Sequence, residues 1–173
     1  ASDLMSSSTI TRQHVASGMT LAALTDAALR YSDGTAGNLL VKRLGGPAGF
    51  TKFVRSLGDA VTRLDRSEPA LAEATPGDVR DTSSPHALAE SYRRVLLGDA
   101  LPPDGRTFLL DLMRRSTTGN ARIRAGVASG WTVADKTGGG FYGAANDIGV
   151  LTSPARPNLV LAVMTDQRTR GAA

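Results

Sequence analysis

The chain has 173 residues, 41% hydrophobic and 21% charged, which suits about one soluble globular domain. It has no cysteine and only two histidines, His14 and His86; this excludes disulfides, zinc–thiolate sites and a cysteine nucleophile, and argues against a multi-histidine metal site. Lys and Arg number 20 against 16 Asp and Glu, a formal charge of +4, but the basic residues are scattered over what read as solvated helix faces, with no basic run interleaved with aromatics, so no nucleic-acid partner is expected.

No apolar run approaches the roughly 20 residues needed to cross a bilayer, so no membrane span is expected. The first residues, Ala1-Ser2-Asp3, show neither the basic region nor the apolar core of a signal peptide. Residues 19–31 read as a helix that Thr20 can cap, with Leu21, Leu24, Ala28 and Tyr31 at helical spacing. Residues 35–44 read as a second helix, stopped by Gly45-Gly46. Pro47 opens a third, carrying Phe50, Phe53, Val54 and Leu57. Residues 66–81 hold Pro69, Pro76 and Gly77 among four acids and two arginines. That is too broken for a helix, and it reads as a compact surface loop whose ends meet. Arg66 and Asp81 either pair to close it or stand as two solvated charges. Ser84-Pro85 starts another helix that runs to Gly98, and Pro102-Pro103 breaks the chain before a helix over 106–115. Past Trp131 the period changes to strands: 132–136, 145–151 and 158–164, with 153–157 as a turn. Helices first and strands last predict an α+β fold in one structural domain, with 1–128 its helical region and 129–173 its sheet.

Three short motifs carry chemistry. In Lys136-Thr137-Gly138-Gly139 a strand ends in glycines, setting bare backbone amides beside an ammonium. That combination suits a substrate with a carboxylate and a carbonyl that becomes an oxyanion. Ser32-Asp33-Gly34 lies at a helix junction, where it serves either as a cap or as a proton carrier through Ser32. Glu68-Pro69 puts a carboxylate in the proline-rich loop, as a surface acid or as a general base.

Taken in this order, with Arg66 and Asp81 framing the loop, the motifs resemble a class A serine β-lactamase. The resemblance covers nearly the whole chain and the later two-thirds or so of a typical member. It implies the β-lactamase/D,D-peptidase-like fold, incomplete at both ends, and β-lactam hydrolysis through a serine acyl-enzyme. Ser32 then passes a proton to the lactam nitrogen, Lys136 acts beside it, and Glu68 is the deacylation base, joined to Pro69 by a cis bond. Thr137, Gly138, Gly139 and Arg122 bind substrate, Gly139 through an oxyanion-hole N–H and Arg122 as a second carboxylate anchor; an exposed helix charge is the other reading of Arg122. Ser7 falls at the substrate mouth.

Two residues depart from the family pattern. Gly34 replaces an asparagine that touches the substrate side chain, which implies opened space, and Ala72 replaces one that helps hold the hydrolytic water. The family's nucleophile lies in a Ser-x-x-Lys motif upstream of all these residues, and no serine here has lysine three residues later. Its serine is therefore expected on a segment outside these residues. The resemblance further implies a secreted or periplasmic bacterial protein, monomeric once complete, with β-lactams as small-molecule partners and no cofactor or metal. A penicillin-binding D,D-peptidase and an inactive binding domain of the same fold stand as alternatives.

Overall fold

In the computed structural model, which describes residues 3–167 and residue 169, a 3-10 turn, Thr11–His14, leads into α1 (Leu21–Tyr31), α2 (Gly34–Arg43) and α3 (Gly46–Ser56). After a long loop come α4 (Pro85–Leu96), α5 (Pro103–Arg114), the single turn α6 (Ile123–Gly126), and strands β1 (Thr132–Gly139), β2 (Ala145–Ser153) and β3 (Arg156–Val163). The strands form an antiparallel sheet in the order β1-β2-β3. The α+β expectation holds. No helix among the described residues is long and apolar enough to cross a membrane.

Local chemistry explains the helix boundaries. The Thr20 hydroxyl accepts from the Ala23 N–H and caps α1. At the other end Ser32 enters the left-handed region, φ 55°, and donates its N–H to the Ala27 carbonyl. Asp33 then caps α2, its Oδ1 accepting from the Ala36 N–H at 3.0 Å. The chain thus leaves one helix and enters the next in two residues.

Residues opposite each other in the ladder share a face. Ala134 and Val150 turn one face onto Leu96 and Met113 of α4 and α5, forming the main core. Val133 and Leu151 turn the other face onto Ile123 and Trp131. On that second face β3 leaves Leu159, Leu161 and Val163 exposed by 40–50%.

Several boundaries differ from expectation. β1 does not stop at Lys136 but runs through Gly139, because Gly138 and Gly139 pair with Asn146 and Ala145. β2 runs on to Ser153, and Arg156 and Pro157 belong to β3, so the turn is shorter than 153–157. Pro103 stands inside the first turn of α5, where its missing N–H costs nothing, so it opens that helix instead of breaking the chain before it. The loop over 66–81 contains a 3-10 turn, Ala70–Glu73.

Asp33 holds this helical end of the molecule together. Only 1% exposed, it also accepts from the N–H groups of Ile10 and Thr11 at 2.9 and 2.8 Å and from the Thr11 hydroxyl. Burial alone raises its pKa, but these bonds outweigh burial and leave it below the usual carboxylate value. In the full-length protein Asp33→Ala should cost about 3 kcal/mol in urea unfolding, because buried N–H donors lose their acceptor. A carboxylate with a lowered pKa stabilises above its unfolded pKa and loses that effect as pH falls through the folded value, so the deficit should shrink below about pH 4. An unchanged midpoint at pH 7 would show that the bonds contribute nothing.

Candidate active site

The left-handed turn after α1 sets the Ser32 hydroxyl against β1, where Lys136 Nζ donates to Ser32 Oγ at 2.7 Å and to the Thr137 carbonyl at 2.7 Å. The capping and chemical readings of Ser32-Asp33-Gly34 fall on different residues: Asp33 caps, and Ser32 faces the lysine. Since the ammonium donates to its oxygen, the Ser32 proton remains available to a third group. Burial lowers the Lys136 pKa to about 8, against the attraction of Asp135.

Beneath Lys136 lie two buried carboxyls, Asp135 at 0% and Asp147 at 3% exposure. Arg124 pairs with Asp135 from Nε at 2.6 Å, and the Ile123 N–H donates to Asp147 Oδ2 at 3.0 Å. Among the described residues no donor reaches Asp135 Oδ2 or Asp147 Oδ1, and the Asp135 carboxyl acts on Asp147 as a neighbouring acid. Burial raises the Asp147 pKa despite that N–H. A Cβ at Gly119 would stand 1.6 Å from Asp135 Oδ2, so only glycine fits there.

The edge of β1 is set by alternation. The Gly140 N–H bonds to the Ala144 carbonyl, so the Gly138 and Lys136 N–H groups face β2, while those of Thr137 and Gly139 point to the free edge. The Thr137 hydroxyl meets the Thr118 hydroxyl at 2.7 Å. Arg122 precedes α6, so it is not a charge on a helix body; its Nη1 donates to the Gly138 carbonyl at 2.7 Å and to the Asn146 carbonyl. It ties β1 to β2 while keeping a cation beside Thr137.

Glu68 is reached from α2. Asn38 Nδ2 donates to the Glu68 carbonyl at 3.0 Å, and Asn38 Oδ1 accepts the Glu68 N–H at 3.0 Å. The Glu68–Pro69 peptide is cis. Burial raises the Glu68 pKa, and the Lys136 charge opposes the rise. Arg66 Nε donates to Asp81 Oδ2 at 2.6 Å, and Asp81 Oδ1 accepts the N–H groups of Asp65 and Arg66, so the loop ends are joined. Arg66 also pairs with Glu73 inside the loop.

Ala72 docks the loop on the sheet, its carbonyl accepting from the Phe141 N–H at 2.9 Å. It lines a cavity of about 590 Å³ with Gly138 and Gly139, whereas Glu68 lines a separate one of about 640 Å³ with Met5 and Asn38. Gly34 does not leave the open space expected of it, because Ser7 and Met5 close on it.

Sequence reasoning missed Asn38, Thr118 and Met5. A signal existed for Asn38 alone: asparagine is a poor helix former, and its place inside α2 calls for a side-chain partner.

The β-lactamase enzyme family model matches residues 1–173. A β-lactamase of Amycolatopsis lactamdurans is 56% identical over 165 residues, 95% of this chain and 55% of its own length. One from Mycobacterium tuberculosis is 54% identical over 173 residues, 98% of this chain and 56% of its own length. A solved β-lactamase from Desulfarculus baarsii superimposes with a TM-score of 0.96 at 52% identity, covering 99% of this chain and 64% of that one. An ancestral class A β-lactamase superimposes with a TM-score of 0.93 at 50% identity, covering 97% and 65%.

This chain belongs to the class A β-lactamases. It spans about half the length of the curated relatives it matches. Its three motifs thus stand on a β-lactamase framework.

The buried pair beneath Lys136 is testable. Asp147→Asn keeps an acceptor for the Ile123 N–H and replaces the orphaned oxygen by a donor. A buried acid with a raised pKa costs stability as pH rises through that value. The melting temperature of Asp147→Asn at pH 7.5 should therefore equal or exceed the parent's, with the difference narrowing as pH falls. A loss of more than about 1 kcal/mol would show that the charge itself is needed.

Proposed function

We propose that the full-length protein hydrolyses β-lactams through a serine acyl-enzyme, with its nucleophile on the part of the family's length that these 173 residues do not span. The contact between Lys136 and Ser32 supports this most directly, together with the coupling of the same ammonium to Glu68. The nucleophilic serine loses its hydroxyl proton as its oxygen attacks the lactam carbonyl. The C–N bond breaks, and Ser32 gives its own proton to the departing nitrogen and is restored by the proton the nucleophile released. Lys136 stabilises the negative charge that develops on Ser32 and, with Thr137, Gly138 and Arg122, holds the substrate carboxylate. The Gly139 N–H, on the free edge of β1, offers half of an oxyanion hole.

In deacylation Glu68 takes a proton from water, the water oxygen attacks the ester carbonyl, the acyl C–O bond breaks, and Glu68 returns the proton to the serine oxygen. The raised pKa of Glu68 makes it a stronger base than a solvated glutamate. Arg66 and Asp81 hold the loop that carries it, with Pro69 and the Asn38 clamp fixing its backbone. With Ala72 the water has no amide from that position. Ser7 stands beside Gly34 at the substrate mouth.

The exposed apolar face of β3 and the missing nucleophile favour one complement, a segment from outside this chain that covers the sheet and brings the serine. The completed protein acts as a monomer, is exported to the bacterial envelope or medium, where its substrates are met, and needs no cofactor.

Residues 1–173 alone should give no acyl-enzyme on intact-mass analysis with a penicillin and no nitrocefin turnover; a covalent adduct would mean that the nucleophile lies in this chain. In the full-length protein Glu68→Ala should lose about 10² to 10⁴ in deacylation rate and accumulate the acyl-enzyme. Hydrolysis at the parent rate would reduce Glu68 to a surface acid.

The pH profile has its own signature. Glu68 must be ionised, and its raised pKa sets an acid limb above that of a free glutamate; Lys136 must be charged, and its pKa of about 8 sets the alkaline limb. A kcat/KM profile flat from pH 7 to 10 would remove Lys136 from the chemistry.

A further inference from the structure

Position 34 is a glycine with no room beside it. A Cβ built there would lie 2.5 Å from Ser7 Oγ, 3.0 Å from Met5 Sδ and 3.3 Å from Met5 Cε. Of these neighbours, Met5 has the longer and more adaptable side chain. Its backbone is held: the N–H donates to Ser8 Oγ at 3.1 Å and to Thr35 Oγ1 at 3.0 Å, and its carbonyl accepts from Arg12 Nη2 at 3.1 Å. A Cβ at 34 must therefore turn the Ser7 hydroxyl away and move the thioether by a few tenths of an ångström, and a longer side chain must swing the thioether further aside.

That thioether has a second neighbour. Asn38 Nδ2 lies 3.3 Å from Met5 Sδ, and the same amide clamps Glu68 through its carbonyl and N–H. Met5, Asn38 and Glu68 line one cavity of about 640 Å³. Displacing Met5 removes a contact from the amide that sets the position of Glu68.

We propose that Met5 is a positioning residue that couples position 34 to Glu68: its thioether fills the space beside Gly34 and braces the Asn38 amide. Occupancy at 34 and the placement of the general base are then linked. An asparagine at 34 disturbs deacylation by displacing Met5, so once Met5 is shortened the asparagine costs no further deacylation. The kinetic half of this proposal rests on the hydrolytic reading above, and the packing half rests on geometry alone.

The test is a double-mutant cycle in the full-length protein, with parent, Gly34→Asn, Met5→Ala and the double variant. Melting temperature and the deacylation rate of a slowly hydrolysed penicillin are measured for each. Gly34→Asn alone should melt lower and deacylate more slowly, and Met5→Ala alone should also slow deacylation. The double variant should regain melting temperature relative to Gly34→Asn and deacylate no more slowly than Met5→Ala, a coupling of about fivefold or more in rate. Gly34→Ala, which adds only the Cβ, keeps the cycle readable if the asparagine variant does not fold.

Met5→Leu separates the two contacts. It keeps the volume, so the melting cycle with position 34 should persist. It lacks the sulfur acceptor, so the acid limb of deacylation should move to lower pH as the loosened loop admits water to Glu68. Additive melting temperatures and additive rates would overturn the coupling, and an unmoved acid limb in both Met5 variants would overturn the link to Glu68. If the parent itself shows no turnover, the hydrolytic reading fails, while the melting cycle still decides whether Met5 packs for position 34.

Discussion

A single buried carboxylate, that of Asp33, organises the helical half of the site. It caps α2 while accepting two N–H groups and a hydroxyl from the Ile10–Thr11 turn. One charge therefore positions three segments: the turn at Ile10 and Thr11, the left-handed turn that presents Ser32, and the start of the helix that carries Asn38. Without it the turn between α1 and α2 would have buried donors and nothing to accept from them. The glutamate loop depends on the same frame, because Asn38 reaches Glu68 from α2.

The electrostatics of the site follow from burial acting on opposite charges. Desolvation pushes the Lys136 pKa down to about 8 and the Glu68 pKa up, so each moves toward neutrality and each is partly restored by the other's charge. Groups whose environments are tuned in this way can exchange protons with a substrate near neutral pH. The carboxyls of Asp135 and Asp147 lie beneath the lysine and favour its charged form, and Arg124 pairs with Asp135. The loop holds its acid in register by a different device: Asp81 gathers the two ends through its carboxylate, and the contact from Ala72 to Phe141 seats the loop on the hairpin.

Much of the fold was legible in the chain. Thr20, Pro47, Ser84-Pro85 and the Gly45-Gly46 stop act within a few residues of themselves, so the helices they bound could be read without knowing what they pack against. The period change after Trp131 announced strands for the same reason. Where the reading stopped short, a partner strand decided. Gly138 and Gly139 have little strand preference of their own, yet pairing with Asn146 and Ala145 carries β1 through them. The bond to Ala72 through the turn at Phe141 joins elements far apart in sequence, and no local pattern reports it.

The sequence by itself determined the residue types and their order: a serine at a helix junction, an acid before proline in a closed loop, and a lysine on a strand ahead of glycines. These follow from short-range rules of capping, turn chemistry and side-chain alternation. Only the tertiary structure decided that Ser32 meets Lys136 at 2.7 Å, that Asn38 rather than a loop residue clamps Glu68, and that Met5 stands where a larger residue at 34 would be. Those contacts join residues separated by 29 to 104 positions. Their geometry comes from how the helices settle against the sheet, and no pattern within a few residues encodes it.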